Sequence, residues 1–169
     1  ALEVDVEVDD GEVGLLVEAD ATLDAVHRAT RDARLVHMAS HATFRPENPM
    51  FSWMLLADTR LAVTDLYTMT LPRRPLGVLS ACETGRGQAR GGGLLGMGRG
   101  FLAAGASGLV VSLWKAADTA TAELMVDFYR ALLEHGGPDA AASLRRAQLC
   151  TLQHHHHAFF WAGFVYIRG

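Results

Sequence analysis

Two short apolar runs in this chain of 169 residues end in side chains capable of covalent chemistry. Leu76-Gly77-Val78-Leu79-Ser80 leads into Ala81-Cys82-Glu83-Thr84-Gly85, and Arg34-Leu35-Val36-His37-Met38-Ala39 leads into Ser40-His41-Ala42. A thiol becomes an effective nucleophile when a base raises its thiolate fraction, and imidazole is the side chain whose ordinary pKa suits that task near neutral pH. The pattern predicts both groups one or two residues past the carboxyl ends of strands, where α/β sheets gather ligands and reacting groups. Neighbouring parallel strands lie roughly 5 Å apart. In that setting His41 can raise the thiolate population of Cys82 and later protonate a leaving amine. Backbone N–H groups at Cys82 and Ala42 can hold the oxyanion of a tetrahedral intermediate. Spacing alone leaves another reading open, with Cys82 as a buried strand-end thiol and His41 as a satisfied loop histidine, since cysteine is among the most buried residue types. His37 competes for the base role, but it falls within its strand, where packing or donation to backbone is expected.

Other chemistries find less support. No Gly-x-Gly-x-x-Gly opens a helix directly after a strand, and Gly-Lys-Ser/Thr is absent, so a nucleotide loop is rejected. Ser80 and Ser112 lack the Gly-x-Ser-x-Gly frame of a nucleophile elbow. Ser80 and Asp118 are instead candidates for lining a substrate pocket, Asp118 for a basic side chain, although a helix-capping role already accounts for Asp118. Metal-ligand spacing is missing outside His154-His155-His156-His157, which reads as a helix-to-strand loop.

The elements that must carry these groups alternate. Leu2-Glu3-Val4-Asp5-Val6-Glu7-Val8 has period two, and Asp9-Asp10-Gly11 supplies a turn before a returning strand at residues 13–17, so residues 1–19 read as an acidic edge hairpin. Asp20 or Thr22 can cap a helix bearing Leu23, Val26 and Thr30. Residues 51–56 and 60–63 read as a small hairpin around Asp58-Thr59, with a helix start at Thr64-Asp65-Leu66. After the glycine-rich stretch 85–93 come a helix over about 94–104, an apolar strand over 109–114, and a helix opened by Asp118. That helix carries a stripe of Leu124, Met125, Phe128, Leu132 and Leu133. A further helix runs toward Gln153, and a last apolar strand is expected over 159–167. Strands apolar on both faces, separated by helices, predict an α/β fold: a three-layer α/β/α sandwich with a largely parallel sheet.

Composition narrows the setting. The formal net charge is −4, which gives no footprint for nucleic acid or for a polybasic membrane surface. Arg73, Arg74, Arg86, Arg90 and Arg99 read as a solvated loop face. Two cysteines are too few for a disulfide scaffold, and Cys150 lies in an amphipathic helical pattern as a small core hydrophobe. No leader or membrane-spanning run is visible, so a reduced, cytoplasmic protein is expected.

The ordered motifs resemble the CHAT-domain family of caspase-like cysteine peptidases. The resemblance is carried by Leu35-Val36-His37-Met38-Ala39-Ser40-His41 and Leu76-Gly77-Val78-Leu79-Ser80-Ala81-Cys82-Glu83-Thr84-Gly85. It continues through Gly93-Leu94-Leu95-Gly96-Met97, Phe101-Leu102-Ala103-Ala104-Gly105-Ala106, Val111-Ser112-Leu113-Trp114 with Asp118, Phe128-Tyr129 and Trp161-Ala162-Gly163-Phe164. It implies a caspase-type domain over residues 20–169, with His41 as base and Cys82 as nucleophile of an endopeptidase that needs no metal or organic cofactor. It also implies a polypeptide substrate, an attached or partnering helical-repeat domain that activates, and a role in bacterial defence or cell death. Two departures stand out. Ala42 occupies the place where such peptidases usually carry glycine, and the acidic hairpin stands where a first strand–helix unit is expected. Both features support a rival reading, a caspase-like interaction module that keeps the fold without the chemistry. A metal-binding protein using His154 to His157 is a third.

Overall fold

The computed structural model describes residues 3–7, 13–45, 47–83, 92–114, 118–134 and 139–169, without the side chains of 6–7, 81–83, 92–95 and 118. In chain order the elements are β1 (Glu3–Glu7), β2 (Val13–Val17), α1 (Leu23–Arg31), β3 (Leu35–Thr43), β4 (Trp53–Leu55), β5 (Arg60–Ala62) and α2 (Val63–Leu66). They continue as β6 (Leu76–Glu83), α3 (Gly92–Ala104), β7 (Gly108–Ser112), α4 (Asp118–Glu134), α5 (Ala140–His154), α6 (Ala158–Trp161) and β8 (Phe164–Arg168). The class is the expected mixed α/β with a parallel sheet at its centre. The chain forms two compact units, one of residues 1–111 with 167–169 and one of residues 112–166.

In the first unit the strand order is β2-β1-β3-β6-β7, with β4 and β5 added at the far end of β3. The pairs β3–β6 and β6–β7 are parallel, while β1–β2, β1–β3, β3–β4 and β4–β5 are antiparallel. The acidic hairpin therefore joins the sheet, with β2 outermost; its expected turn at Asp9-Asp10-Gly11 lies outside the described residues. Apolar residues on both faces explain the central position of β7, which is buried along its whole length. On β3, Met38, Ser40 and Ala42 are buried, His37 and Ala39 are half-buried and His41 is exposed.

Helix α3 packs on the buried face because glycines let it come close. A Cβ added at Gly98 would lie 3.3 Å from Leu109 Cδ1, and one added at Gly100 would lie 2.8 Å from Leu66 Cδ1. The start of α1 is capped twice. Thr22 accepts from the Ala25 N–H at 3.3 Å, as its position predicts, and Asp58 from the β4–β5 turn accepts from the Leu23 N–H at 3.0 Å.

In the second unit α4 and α5 pack together, and Asp139 caps α5 by accepting from the Ala142 N–H at 3.0 Å. The stripe on α4 is buried at Leu124, Met125, Phe128 and Leu132, but Leu133 is exposed, against expectation. Position 133 is one residue, about 100° of helical turn, beyond Leu132, which carries it off the packed face. The expected strand over 159–167 is also corrected: Phe159 to Trp161 are helical, and β8 begins at Phe164. Local hydrogen bonds override the apolar run. His157 Nδ1 accepts from the Phe159 N–H at 3.2 Å and opens α6, while Trp114 Nε1 donates to the Phe159 carbonyl at 3.0 Å. The histidine tract therefore links two helices rather than a helix and a strand.

Candidate active site

The site is built from the ends of β3 and β6. Both strands run further than the sequence pattern predicts: β3 continues two residues past His41, and β6 one residue past Cys82. Their parallel register places His41 directly opposite Cys82, after Ala39 opposite Ser80 and before Ala42 opposite Glu83. Directly opposed residues lie on the same face of a sheet, so positions 41, 80 and 82 share one face. The Cys82 side chain is outside the described set. The β6–β7 pairing stops at Leu79 opposite Val111, so the end of β6 projects beyond its last paired residue on that side.

Hydrogen bonds hold the His41 backbone in place. The Ser40 hydroxyl, on the buried face, donates to the Leu55 carbonyl at 2.7 Å and ties β3 to β4 next to His41. Asp65 accepts from the Ala62 N–H at 2.8 Å and fixes the exit of β5 into α2. Ala42, which the sequence pattern sets past the end of its strand, lies instead inside β3, fully buried, between Met54 of β4 and Glu83 of β6. Pairing on both sides accounts for the difference: β6 pairs through His41 and Ala42, and β4 pairs with Ala42 and Thr43.

His37 lies on the same face as His41, four residues back, opposite Val78 on one side and Asp5 on the other. Its Nδ1 stands 4.0 Å from Asp5 Oδ2. Burial holds its pKa below the usual 6.5, against a smaller opposing influence from Glu3, so it is a neutral packed imidazole near pH 7. Burial also pushes the Asp5 carboxyl up. The row formed by Glu3 and Asp5 beside β3 was not assigned a role from sequence; period two marked it only as the solvated side of a hairpin.

Most of the remaining candidates belong to the second unit or fall outside the described residues. Asp118 begins α4, but its side chain is not described, and the glycine-rich stretch 85–91 lies outside the described residues. Cys150 is a half-buried thiol between α4 and α5. A hydrogen bond to Asp127, with burial and the nearby carboxylate charge, pushes its pKa up despite Arg130 and Arg146. It is the less nucleophilic kind of thiol. His155 pairs with Glu123 at 3.1 Å and His157 caps α6. Among the described residues no group of three or more His, Cys, Asp or Glu could hold a metal ion. A cavity of about 560 Å³ opens between α1 and the loop before β6, lined by His27, Arg31, Thr68 and Thr70; it lies at the opposite end of β3 from His41.

A parallel sheet presenting histidine and cysteine on adjacent strand ends is the layout of the caspase-like fold class. The family model described as CHAT domain matches residues 2–169, and the chain belongs to that family, whose members fall in the caspase-like protease clan. Tetratricopeptide repeat protein 28 of Mus musculus is similar, at 34% identity over 114 residues. The match covers 66% of this chain and 4% of that protein, so the chain spans a small part of its length. Among the described residues no helix is long and apolar enough to cross a membrane.

Proposed function

We propose that the chain is a cysteine endopeptidase in which His41 and Cys82 form the catalytic dyad. The observation that carries this reading is the register of β3 and β6, which sets position 41 opposite position 82. The Cys82 thiolate attacks the scissile carbonyl carbon, and the electron pair of the C=O moves onto oxygen. Protonated His41 gives its proton to the leaving amine as the C–N bond breaks, which leaves a thioester. Water then adds, losing a proton to His41, and the acid product departs as the thiolate reforms. The N–H of Cys82 is the first oxyanion donor, with Ala42 as the second. Ser80, one pleat back on the same face, belongs to the substrate side of the site, and Asp118 is its candidate partner for a basic side chain. The substrate is a polypeptide. A helical-repeat partner regulates cleavage, as the tetratricopeptide name of the similar mouse protein suggests, in a defence or cell-death setting within the cytoplasm.

A second reading is favoured by one observation. Ala42 is flanked by strands on both sides, so its N–H lies within a sheet rather than in a turn aimed at an oxyanion. On that reading the chain is an interaction module without turnover. Cleavage of a denatured-protein peptide library by the wild type decides between the two. The Cys82→Ala and His41→Ala variants are expected to lose activity by about 10³-fold with an unchanged circular dichroism spectrum. Equal turnover by wild type and Cys82→Ala would remove Cys82 from the chemistry. Alkylation of Cys82 no faster than that of Cys150 near pH 7 would favour the module.

A further inference from the structure

The hairpin carries two parallel rows of side chains that the proposed chemistry does not use. On β2, Val13, Leu15 and Val17 are 61%, 51% and 39% exposed, an unusual degree for three apolar residues on one strand face. Register places Val17 opposite Glu3 and Leu15 opposite Asp5, so an apolar row and an acidic row lie side by side on one face. The acidic row continues to Ala39 and His37 on β3. Among the described residues the only basic group facing Asp5 is His37, which burial keeps neutral near pH 7. Among the described residues Asp5 thus has a hydrophobic neighbour on one side, an uncharged imidazole on the other, and no ion pair with lysine or arginine.

We infer that this face is the docking surface for an amphipathic helix whose apolar stripe is bordered by lysine or arginine. Dimensions and charge both select that occupant. A helix is about 10 Å across with its side chains and covers two strands roughly 5 Å apart. Five residues of strand span about 13 Å, which nine helical residues at 1.5 Å each can follow. An apolar stripe on Val13, Leu15 and Val17 leaves flanking Lys or Arg stems lying over the strand, with their charges at Glu3 and Asp5. A helix with acidic flanks would meet like charge, and a membrane surface would be repelled by the same row. This deepens the helical-partner reading above and is independent of the chemistry at Cys82.

The test measures binding by fluorescence anisotropy to the full chain, with two synthetic helical peptides of about 16 residues. Both carry one leucine stripe; one has lysine and the other glutamate at every flanking position. The lysine peptide is expected to bind the wild type about tenfold more tightly than the glutamate peptide, from two partly buried charge pairs. A Glu3→Lys, Asp5→Lys double variant should reverse that preference, and Leu15→Ser should weaken both peptides. Leu15 is half exposed, so Leu15→Ser should fold; the comparison of the two peptides on the wild type needs no variant. Equal affinities, no binding, or binding unaffected by Leu15→Ser would overturn the inference. So would light scattering that shows a dimer split by Leu15→Ser, because the face would then serve a second copy. None of these outcomes depends on turnover, so failure here leaves the Cys82 reading standing.

Discussion

At the scale of single residues, the surroundings of Cys150 mark it as a weak nucleophile. The Asp127 carboxylate beside Cys150 is the largest cause of that thiol's raised pKa. Removing the carboxylate should therefore free the thiol: Asp127→Asn is expected to speed iodoacetamide labelling of Cys150 near pH 7 by about three- to tenfold, read by mass spectrometry of tryptic peptides. Unchanged labelling would mean that access rather than ionisation limits this thiol. His37 gives a second prediction. Its folded pKa lies below the unfolded value of 6.5, so the unfolded chain binds more protons as pH falls through that value. Its contribution makes stability fall with pH below about 6.5 and level off beneath the folded pKa, with a slope of at most about 1.4 kcal/mol per pH unit. Urea titrations of His37→Asn from pH 7.5 to 5 should show a flatter profile than the wild type. That positions 41 and 82 fall on neighbouring strands was legible in the sequence, because a thiol and an imidazole each end an apolar run. The packed state of His37 was legible for the same reason, since a residue four places inside a buried strand has little room for solvent.

At the scale of elements, α3 buries Met97 and Phe101 and comes close to its neighbours at its glycines. A methyl group at Gly100 would sit 2.8 Å from Leu66 Cδ1 and 2.9 Å from Leu66 Cβ, and the second of these atoms cannot swing away. Gly100→Ala is expected to destabilise the chain by about 1–2 kcal/mol in urea melts, overpacking outweighing the better helix propensity of alanine. A neutral or stabilising result would show that α2 can shift. The β4–β5 hairpin was readable from its Asp58-Thr59 turn. Its effect on the site was not, because tertiary pairing on both sides, with β4 at Ala42 and Thr43 and with β6 at His41 and Ala42, draws these residues into a strand. The helix α6 was missed for a similar reason. Phe159, Phe160 and Trp161 are strand-prone residues, and the groups that turn them into a helix, His157 and Trp114, act through hydrogen bonds that composition does not encode.

At the scale of the whole molecule, β6 is one of the strands with partners on both sides, over residues 76–79, and there Leu76, Gly77, Val78 and Leu79 are all buried. Native-state hydrogen exchange should find its slowest amides there and at residues 109–111 of β7, with α6 and the preceding histidines opening at much lower free energy. Faster exchange in β6 than in α5 would contradict that ranking. The α/β class followed from the alternation of apolar runs and helices, and the two compact units did not, since their division falls at Ser112, inside a strand with no break in composition.

One contact in the second unit bears on how such sequences change over time. A Cβ at Gly163 would lie 3.3 Å from Trp114 Nε1 and 3.5 Å from Cε2, while the Leu113 N–H donates to the Gly163 carbonyl at 2.6 Å. The Ser-Leu-Trp and Trp-Ala-Gly-Phe segments, about fifty positions apart, are therefore packed directly together. A smaller ring at 114 would free position 163, whereas with tryptophan in place a methyl group there needs the indole to shift by a few tenths of an ångström. Covariation between those two columns is the trace this packing should leave in any collection of related chains.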